Sequence, residues 1–516
     1  MDIWKKCLTD ASHALPDFND DLLLRFRKRK IGEIIDYLDI LFKESVKLFD
    51  NKLKYVGYKV LSPDERIAYI KSNQILKKKI EIQKSTFNLL AFNFEFEGVI
   101  HPLHVHVPYM DRGAIWLGDT QYFPLFPIVE RGGLHRTQKD VIIKVMRAPL
   151  TFKRSEYYTF VTNKNPTPYR CMVVTVKIHQ RKKGRGGKKT DRTPLVLYHL
   201  VNLGFYKTMY YYGFKEDEIY ITTAIEEDNK EYSFIKLTDD IYIKVKDTAL
   251  QDRFKQRVIA SFMMCLEEYP KFTYRDLVAT HPIYFKTVLG KYTYPTNINA
   301  QLLYDNAEKH LETTKTLLDP PAQYQLASIG IIARDIYELL RIVFFEIDNW
   351  IVGYDPTNLY TKKIGALDQI MAPLVSSINT KQFGVINSKN EGLNQDVIKR
   401  FVTSASQGEN WMMSNPMFRA NPTMCNDNWL LSIGSKRFRS LENIENKQGG
   451  DNKGGRNMPV ALLKAHPSQL IVESILALPP SSPIISGEIN PFLTIDEDGN
   501  IEPNEKLVES IKHVFD

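Results

Sequence analysis

Cysteine is scarce: Cys7, Cys171, Cys265 and Cys425 are the only four in 516 residues, and no two form a Cys-x-x-Cys pair. That spacing excludes a thiolate zinc clamp and a disulfide framework, and it implies a chain kept reduced inside a cell. No run is both long and apolar. The most apolar segment, Ile329 to Ile351, is broken by Arg334, Asp335, Glu338, Arg341, Glu346 and Asp348, whereas a membrane span needs about 20 mostly apolar residues. The start, Met1-Asp2-Ile3-Trp4-Lys5-Lys6, lacks the basic and apolar regions of a secretory signal. There is no Gly-x-Ser-x-Gly elbow and no His-Glu-x-x-His helix, so no motif supports catalysis carried wholly by this chain. Repeats of fixed period are absent too, which excludes solenoids and propellers.

What is present describes an ordinary globular protein of several units. Hydrophobic residues make up 43% and charged residues 25%, values that allow a large core and argue against global disorder. A chain of 516 residues exceeds one compact core and is expected to fold as two to four units. Lys plus Arg exceed Asp plus Glu by 8, an excess that suits a polyanionic partner and equally suits a slightly basic cytosolic protein.

Periodicity sketches the order of elements. Residues 1 to about 90 read as helical, with apolar clusters at Leu22-Leu23-Leu24-Arg25-Phe26 and from Ile34 to Phe42. From Asn88 to Val161 the period becomes two, as in Phe92-Asn93-Phe94-Glu95-Phe96 and His104-Val105-His106-Val107. Residues 165 to 320 mix strands such as Met172 to Ile178 with helices such as Asp252 to Glu268. After Asp319-Pro320-Pro321 a helical pattern runs to about Leu374, with Ile329, Ile332, Ile336, Leu339, Leu340, Val343 and Ile347 on one face. The remainder is rich in Gly, Asn, Ser and Pro.

Four features invite a chemical reading. His104 and His106 share a strand face near His101 and could reach one metal as in a hydrolase, but no spaced acidic or Cys partner accompanies them, so an ordinary strand is expected. Asp496-Glu497-Asp498-Gly499-Asn500 approaches a carboxylate loop for Mg²⁺, yet its last position is an amide. A turn between two strands, with Gly499-Asn500 at positive φ, fits better. The basic loop Arg181 to Lys189 could track a phosphate backbone or cap a solvated hairpin. Gly449 to Arg456 lacks the Gly-Lys-Ser/Thr ending of a nucleotide-cradling loop.

A set of ordered segments carries more. Near the end, Lys464-Ala465-His466-Pro467-Ser468 precedes a Pro-rich turn, then Gly487-Glu488-Ile489-Asn490 and Gly499-Asn500-Ile501-Glu502-Pro503. Earlier come Gly113 to Gly118, Val141 to Phe152, Pro168-Tyr169-Arg170, Thr193 to Gly204, Asn358 to Ile364, Gln407 to Trp411 and Leu431 to Arg439. In sequence and order these resemble the β subunit of multisubunit DNA-dependent RNA polymerases, over about four hundred residues. There, Gly113 to Gly118 and Val141 to Phe152 match two arms of one hairpin, with Asp119 to Asp140 inserted at its turn.

The resemblance implies an α+β, multi-domain fold of protrusion, lobe and fork modules. Residues 1–160 would form a protrusion-like module, 161–320 a lobe-like module, 321–420 a helical return to the protrusion, and 421–516 the fork and the start of the hybrid-binding region. It implies nucleic-acid contacts by Lys436, Arg437 and Arg439 of the fork, by Arg456, and by Lys464 and His466, with guanidinium and ammonium groups suited to phosphate. It implies no catalytic residue and no metal or cofactor on this chain, the catalytic Mg²⁺ belonging to a β′-like partner. Departures exist: Leu478 to Pro483 lacks the glutamate of the family's Thr-Pro-Glu-Gly turn, and Gln469-Leu470-Ile471 replaces its His-Tyr-Gly. Because the sequence stops at Asp516, soon after Glu502-Pro503, the implied protein is the N-terminal piece of a split β subunit, similar to those of giant (jumbo) tailed bacteriophages. Its expected partners are a C-terminal β fragment, β′-like subunits, a promoter-specificity subunit, template DNA and the RNA–DNA hybrid, with no membrane. Its expected place is the cytoplasm of an infected bacterium or the virion. The alternative is a DNA-binding scaffold of polymerase-derived fold that joins no transcribing complex.

Overall fold

Alternation of side chains over residues 89–106 produces the two antiparallel strands expected there, with Phe92 opposite Leu103. The computed structural model describes residues 53–73, 89–178 and 193–364 with short breaks, 394–406, parts of 35–46, and short pieces between 423 and 505. The described elements are mixed α and β, and the chain divides into two compact units, one from Met1–Arg131 with Asp355–Asp516, the other from Gly132–Tyr354.

The first unit begins with β1 (Leu53–Val60), α1 (Pro63–Asn73), β2 (Leu89–Phe96), β3 (Val99–His106), β4 (Tyr109–Asp111), β5 (Ala114–Leu117), β6 (Thr120–Phe123) and β7 (Phe126–Glu130). β1 corrects the expectation of helix throughout residues 1–90: Tyr55, Val56, Tyr58 and Val60 are types that suit a pleated surface, and the strand pairs with β2. The sheet β1-β2-β3 buries Phe92, Phe94 and Phe96, and the rings of Phe92 and Phe94 pack on Phe42 of the helical residues near 35–43.

The second unit contains β8 (Leu134–Arg136), β9 (Asp140–Lys144), β10 (Pro149–Phe160), β11 (Tyr169–Lys177), β12 (Thr193–Pro194), α2 (Leu195–Leu203), α3 (Phe205–Tyr211), β13 (Ile219–Thr222), β14 (Tyr232–Lys236), β15 (Tyr242–Lys246), α4 (Arg253–Glu268), α5 (Tyr274–Val278), α6 (Ile283–Thr293), α7 (Ala300–Lys315), α8 (Pro320–Ala327) and α9 (Ile336–Ile351). Its antiparallel sheets run β12-β11-β10-β9-β8 and β13-β15-β14. One continuous apolar core joins them to the helices, and α2 lies within it, buried at every position from Leu195 to Val201. The free thiols of Cys171 and Cys265 are buried there, and burial pushes Cys171 up to about 11, so neither is a reactive thiolate.

Two helices follow the pattern with sharper ends than periodicity gives. α4 starts where Asp252 caps it by accepting from Phe254 N at 2.8 Å. α9 starts at Ile336 rather than Ile329, because Asp335 accepts from Glu338 N while Glu338 accepts from Arg334 N. Gly330 turns the chain before it at φ 83°, and Ile332 is left 76% exposed rather than on the core face. α9 ends at Ile351, with Gly353 and Pro356 following in sequence, and Lys362–Ile364 interrupts the expected helical stretch as a strand; residues 365–374 lie outside the described residues.

Close packing of α6 on α7 depends on Gly290, where an added Cβ would lie 2.1 Å from the Leu303 carbonyl oxygen. Gly290→Ala is therefore expected to push the helices apart at a cost of at least about 1–3 kcal/mol. Faster amide exchange confined to peptides of 283–315 checks it; unchanged exchange there contradicts it.

The chain then returns to the first unit with β16 (Lys362–Ile364), α10 (Gln395–Ala405), β17 (Thr423–Met424), β18 (Arg437–Ser440), α11 (Ser468–Val472), β19 (Ser486–Glu488), β20 (Leu493–Ile495) and β21 (Ile501–Pro503). Two more sheets result, β17-β6-β5-β4 and β16-β7-β18-β19, with the hairpin β20-β21. The expected hairpin of residues 113–118 with 141–152 is not formed. Both edges of β5 are taken by β4 and β6, and both edges of β9 by β8 and β10, so neither strand has a free edge for the other.

Candidate nucleic-acid interface

Backbone pairing brings four distant stretches of sequence side by side. β7 is central in its sheet: β16 pairs with it antiparallel, Lys362 opposite Glu130, and β18 pairs parallel, Phe438 opposite Phe126. β19 adds to the far side of β18, placing Arg437 opposite Glu488 and Arg439 opposite Ser486. The segments expected to form the fork, the Gly-Glu-Ile-Asn element and the Lys-Lys-Ile element therefore share one sheet.

The Lys-Lys pair divides by alternation. Lys362 points into the protein, where its Nζ donates to Glu130 Oε1 at 2.8 Å with both side chains under a tenth exposed. Its backbone carbonyl accepts from Arg131 Nε at 3.3 Å. Lys363, one residue on, is half-buried and lies on the opposite strand face, opposite Val129 and bridged to Asn500. Lys362 thus holds the sheet together, and Lys363 is the cation of this pair that remains accessible. Sequence reasoning nominated neither; the period-two rule applied to Lys362-Lys363-Ile364 was the signal available.

The β20-β21 hairpin is the turn expected around Gly499, with Ile495 opposite Ile501. Gly499 alone takes positive φ, at 84°, whereas Asn500 does not. Its carbonyl accepts from Ile364 N at 2.7 Å, and a Cβ there would meet Ile364 O at 2.2 Å, so glycine fastens the hairpin to β16.

The His-Pro-Ser element is fastened to the same region. Ser468 is fully buried, and its Oγ accepts from Leu359 N at 2.8 Å. His466 Nδ1 accepts from Ser468 N at 3.1 Å and lies 2.8 Å from Ser468 Oγ. With Nδ1 accepting, the neutral ring carries its proton on Nε2. Asn490 completes the tie, donating from its backbone N to Val472 O at 2.8 Å and from its side-chain amide to Ile471 O at 3.1 Å.

Of the residues nominated for nucleic-acid contact, His466 is described in full, half-buried beside Tyr360. Arg437 and Arg439 are described as backbone in β18, and their side chains lie outside the described residues. Lys436, Arg456 and Lys464 lie outside the described residues, as do both glycine-rich basic loops.

The histidines of β3 serve packing. His101 Nε2 bonds Gln395 Oε1 at 2.7 Å, and Gln395 also donates to Phe96 O at 3.1 Å, docking α10 on the strand. His104 lies under Tyr69 with ring centroids 4.3 Å apart, and its backbone N donates to Ser406 Oγ at 3.0 Å. Burial, then the neighbouring His106, lowers its pKa, so it is neutral at ordinary pH. Among the described residues no group of three or more His, Cys, Asp or Glu side chains comes together to hold a metal ion.

Comparison with known proteins adds one finding. A family model described as non-virion RNA polymerase subunit matches residues 2–512. Comparison with curated proteins finds no match.

Proposed function

The chain belongs to the non-virion RNA polymerase subunit family, and from that membership we propose that it supplies the N-terminal part of a β-like subunit in a DNA-directed RNA polymerase. The observation that carries the finer reading is the convergence of β-like segments: residues 358–364, 437–440, 466–468, 486–490 and 499–503, drawn from the stretch 358–503, interlock around the sheet β16-β7-β18-β19. In this reading the sheet is the fork and the start of the hybrid-binding region. The rest of the first unit is protrusion-like, and the inserted unit contains the lobe-like module.

Nucleotidyl transfer belongs to the assembled enzyme. The cations this chain offers to phosphate are Lys436, Arg437, Arg439, Arg456 and Lys464, with His466 and Lys363 as further donors. Ammonium and guanidinium groups neutralise phosphate and hold a nucleic-acid backbone without reading its sequence. The catalytic Mg²⁺ and its aspartates sit on a β′-like partner, and a C-terminal β-like piece completes the subunit. As a subunit of a non-virion polymerase, the chain works in the cytoplasm of the infected host. No helix among the described residues is long and apolar enough to cross a membrane.

The test is a salt titration. In the assembled polymerase bound to a DNA–RNA scaffold, replacing Lys436, Arg437 and Arg439 together by Ala is expected to flatten the slope of log affinity against log salt by up to about 3. An unchanged slope contradicts fork contact with phosphate.

A further inference from the structure

We propose that the ring of Tyr360 is a stacking surface for an unpaired nucleobase, and that the Nε2–H of His466 beside it donates to the sugar-phosphate of the same strand. The proposal rests on the polymerase reading above and adds a binding residue to it.

Tyr360 is held by its backbone and left open at its side chain. It lies in the 3-10 turn Leu359–Thr361, where Asn358 Oδ1 accepts from Tyr360 N at 3.0 Å. The preceding Leu359 is buried, with its N bonded to the buried Ser468. Tyr360 is nevertheless 50% exposed. A large aromatic group on a fixed backbone presents a π face at little ordering cost when a ligand arrives. Stacking on such faces is how proteins hold single-stranded nucleic acid without regard to sequence.

His466 supplies the polar half. Its ring stands edge-on to Tyr360, centroids 6.4 Å apart at 89°. Because Nδ1 is engaged by Ser468, the Nε2–H is the remaining donor of the neutral ring. An aromatic face with an adjacent fixed N–H matches a nucleotide, which offers a flat base and acceptor oxygens a few ångström away. A protein partner would want the ring buried by apolar neighbours. Here the ring meets the His466 imidazole, and the turn that carries it is capped by the Asn358 side chain, both polar.

The experiment uses the assembled polymerase on scaffolds carrying photoreactive bases. Crosslinks should map to the peptide containing Tyr360. Tyr360→Ala should shorten the lifetime of the loaded complex by roughly ten- to a hundredfold, by the same factor at low and high salt because stacking releases no counterions. Tyr360→Phe should keep the lifetime. A Tyr360→Ala lifetime equal to wild type, with crosslinks elsewhere on this chain, overturns the stacking proposal and leaves the subunit reading standing. Crosslinking of Tyr360 to a partner protein overturns it too. No crosslink to any part of this chain in a complex that makes RNA overturns the interface reading and the proposal together. Since Tyr360 is an exposed side chain, loss of the fold is not the expected cause of any effect; Tyr360→Leu, which keeps bulk without a π face, should behave as Tyr360→Ala.

Discussion

Asp348→Asn should unfold the inserted unit at temperatures where the wild-type chain is intact, at a cost of about 3–5 kcal/mol. Asp348 gathers three arginines: Arg154 donates to Oδ1 at 2.9 Å, and Arg257 and Arg253 donate to Oδ2 at 2.6 and 3.0 Å. Arg257 is the reason the effect is large. Its side chain is 2% exposed, pinned between Asp348 and the Phe344 carbonyl, and a neutral amide would leave that guanidinium buried without a counter-charge. Arg154 comes from β10, Arg253 and Arg257 from α4, and Asp348 from α9, so one carboxylate ties a sheet to two helices.

The same site sets an acid limit. Burial raises the Asp348 carboxyl, but hydrogen bonds from Arg154 and Arg257, with the charges of Arg257 and Arg253, outweigh it and hold the group below its ordinary value. A carboxyl lowered on folding stabilises fully above its unfolded pKa of about 3.9, and that contribution is lost as pH falls through the lower folded value. Stability of the 132–354 unit should therefore hold down to about pH 4 and fall below it, and Asp348→Asn should remove that part of the pH dependence. Amide exchange read separately on peptides of the two units distinguishes this from a global effect. A variant with wild-type protection in β10, α4 and α9 would show that Asp348 is not the tie.

The second large effect lies at the interface sheet. Glu130→Leu should destabilise the first unit by about 3–5 kcal/mol, because it removes the carboxylate 2.8 Å from a Lys362 ammonium that is 9% exposed. The double variant Glu130→Leu with Lys362→Met should recover most of that loss, since an apolar pair of similar volume avoids the desolvation of both charges. Denaturant unfolding of the full chain, followed with exchange on peptides of β7 and β16, reads both. If the double variant is as unstable as the single, the residues act separately and the pair does not hold the sheet. If the double variant keeps its stability and its grip on nucleic acid, Lys362 is structural and the accessible Lys363 carries the charge.

Local pattern revealed elements whose stabilising partners are near in sequence or repeat on one face. α9 buries Ile336, Leu339, Leu340, Val343 and Ile347, five of the seven positions that 3.6-residue spacing singles out; Ile329 and Ile332 precede the helix. α4 begins one residue after its capping Asp252, and β2 with β3 follow the change to period two. β1 escaped notice because its Lys54 and Lys59 blur the alternation, and only pairing with β2 decides its conformation. The early end of the α9 helix was legible in Gly353 and Pro356.

Long-range relations were not legible from pattern. Nothing in the spacing of Arg154, Arg253, Arg257 and Asp348 announces that they meet, since they come from different elements up to 194 residues apart. The interface is a middle case. Its segments stand out by resemblance, yet that Lys362 meets the buried Glu130 follows only from the strand's pairing with β7. Likewise the role of Ser468 as acceptor for Leu359 depends on a contact across 109 positions.

The most direct test of the account is recovery of the tagged chain from infected cells, with identification of the proteins that come with it and a promoter-independent RNA synthesis assay on the same material. The account predicts co-purification of a C-terminal β-like piece and a β′-like chain bearing Asp-x-Asp-Gly-Asp, with RNA made. A well-folded chain recovered alone, binding nucleic acid without making RNA, would contradict it and support a scaffold of polymerase-derived fold.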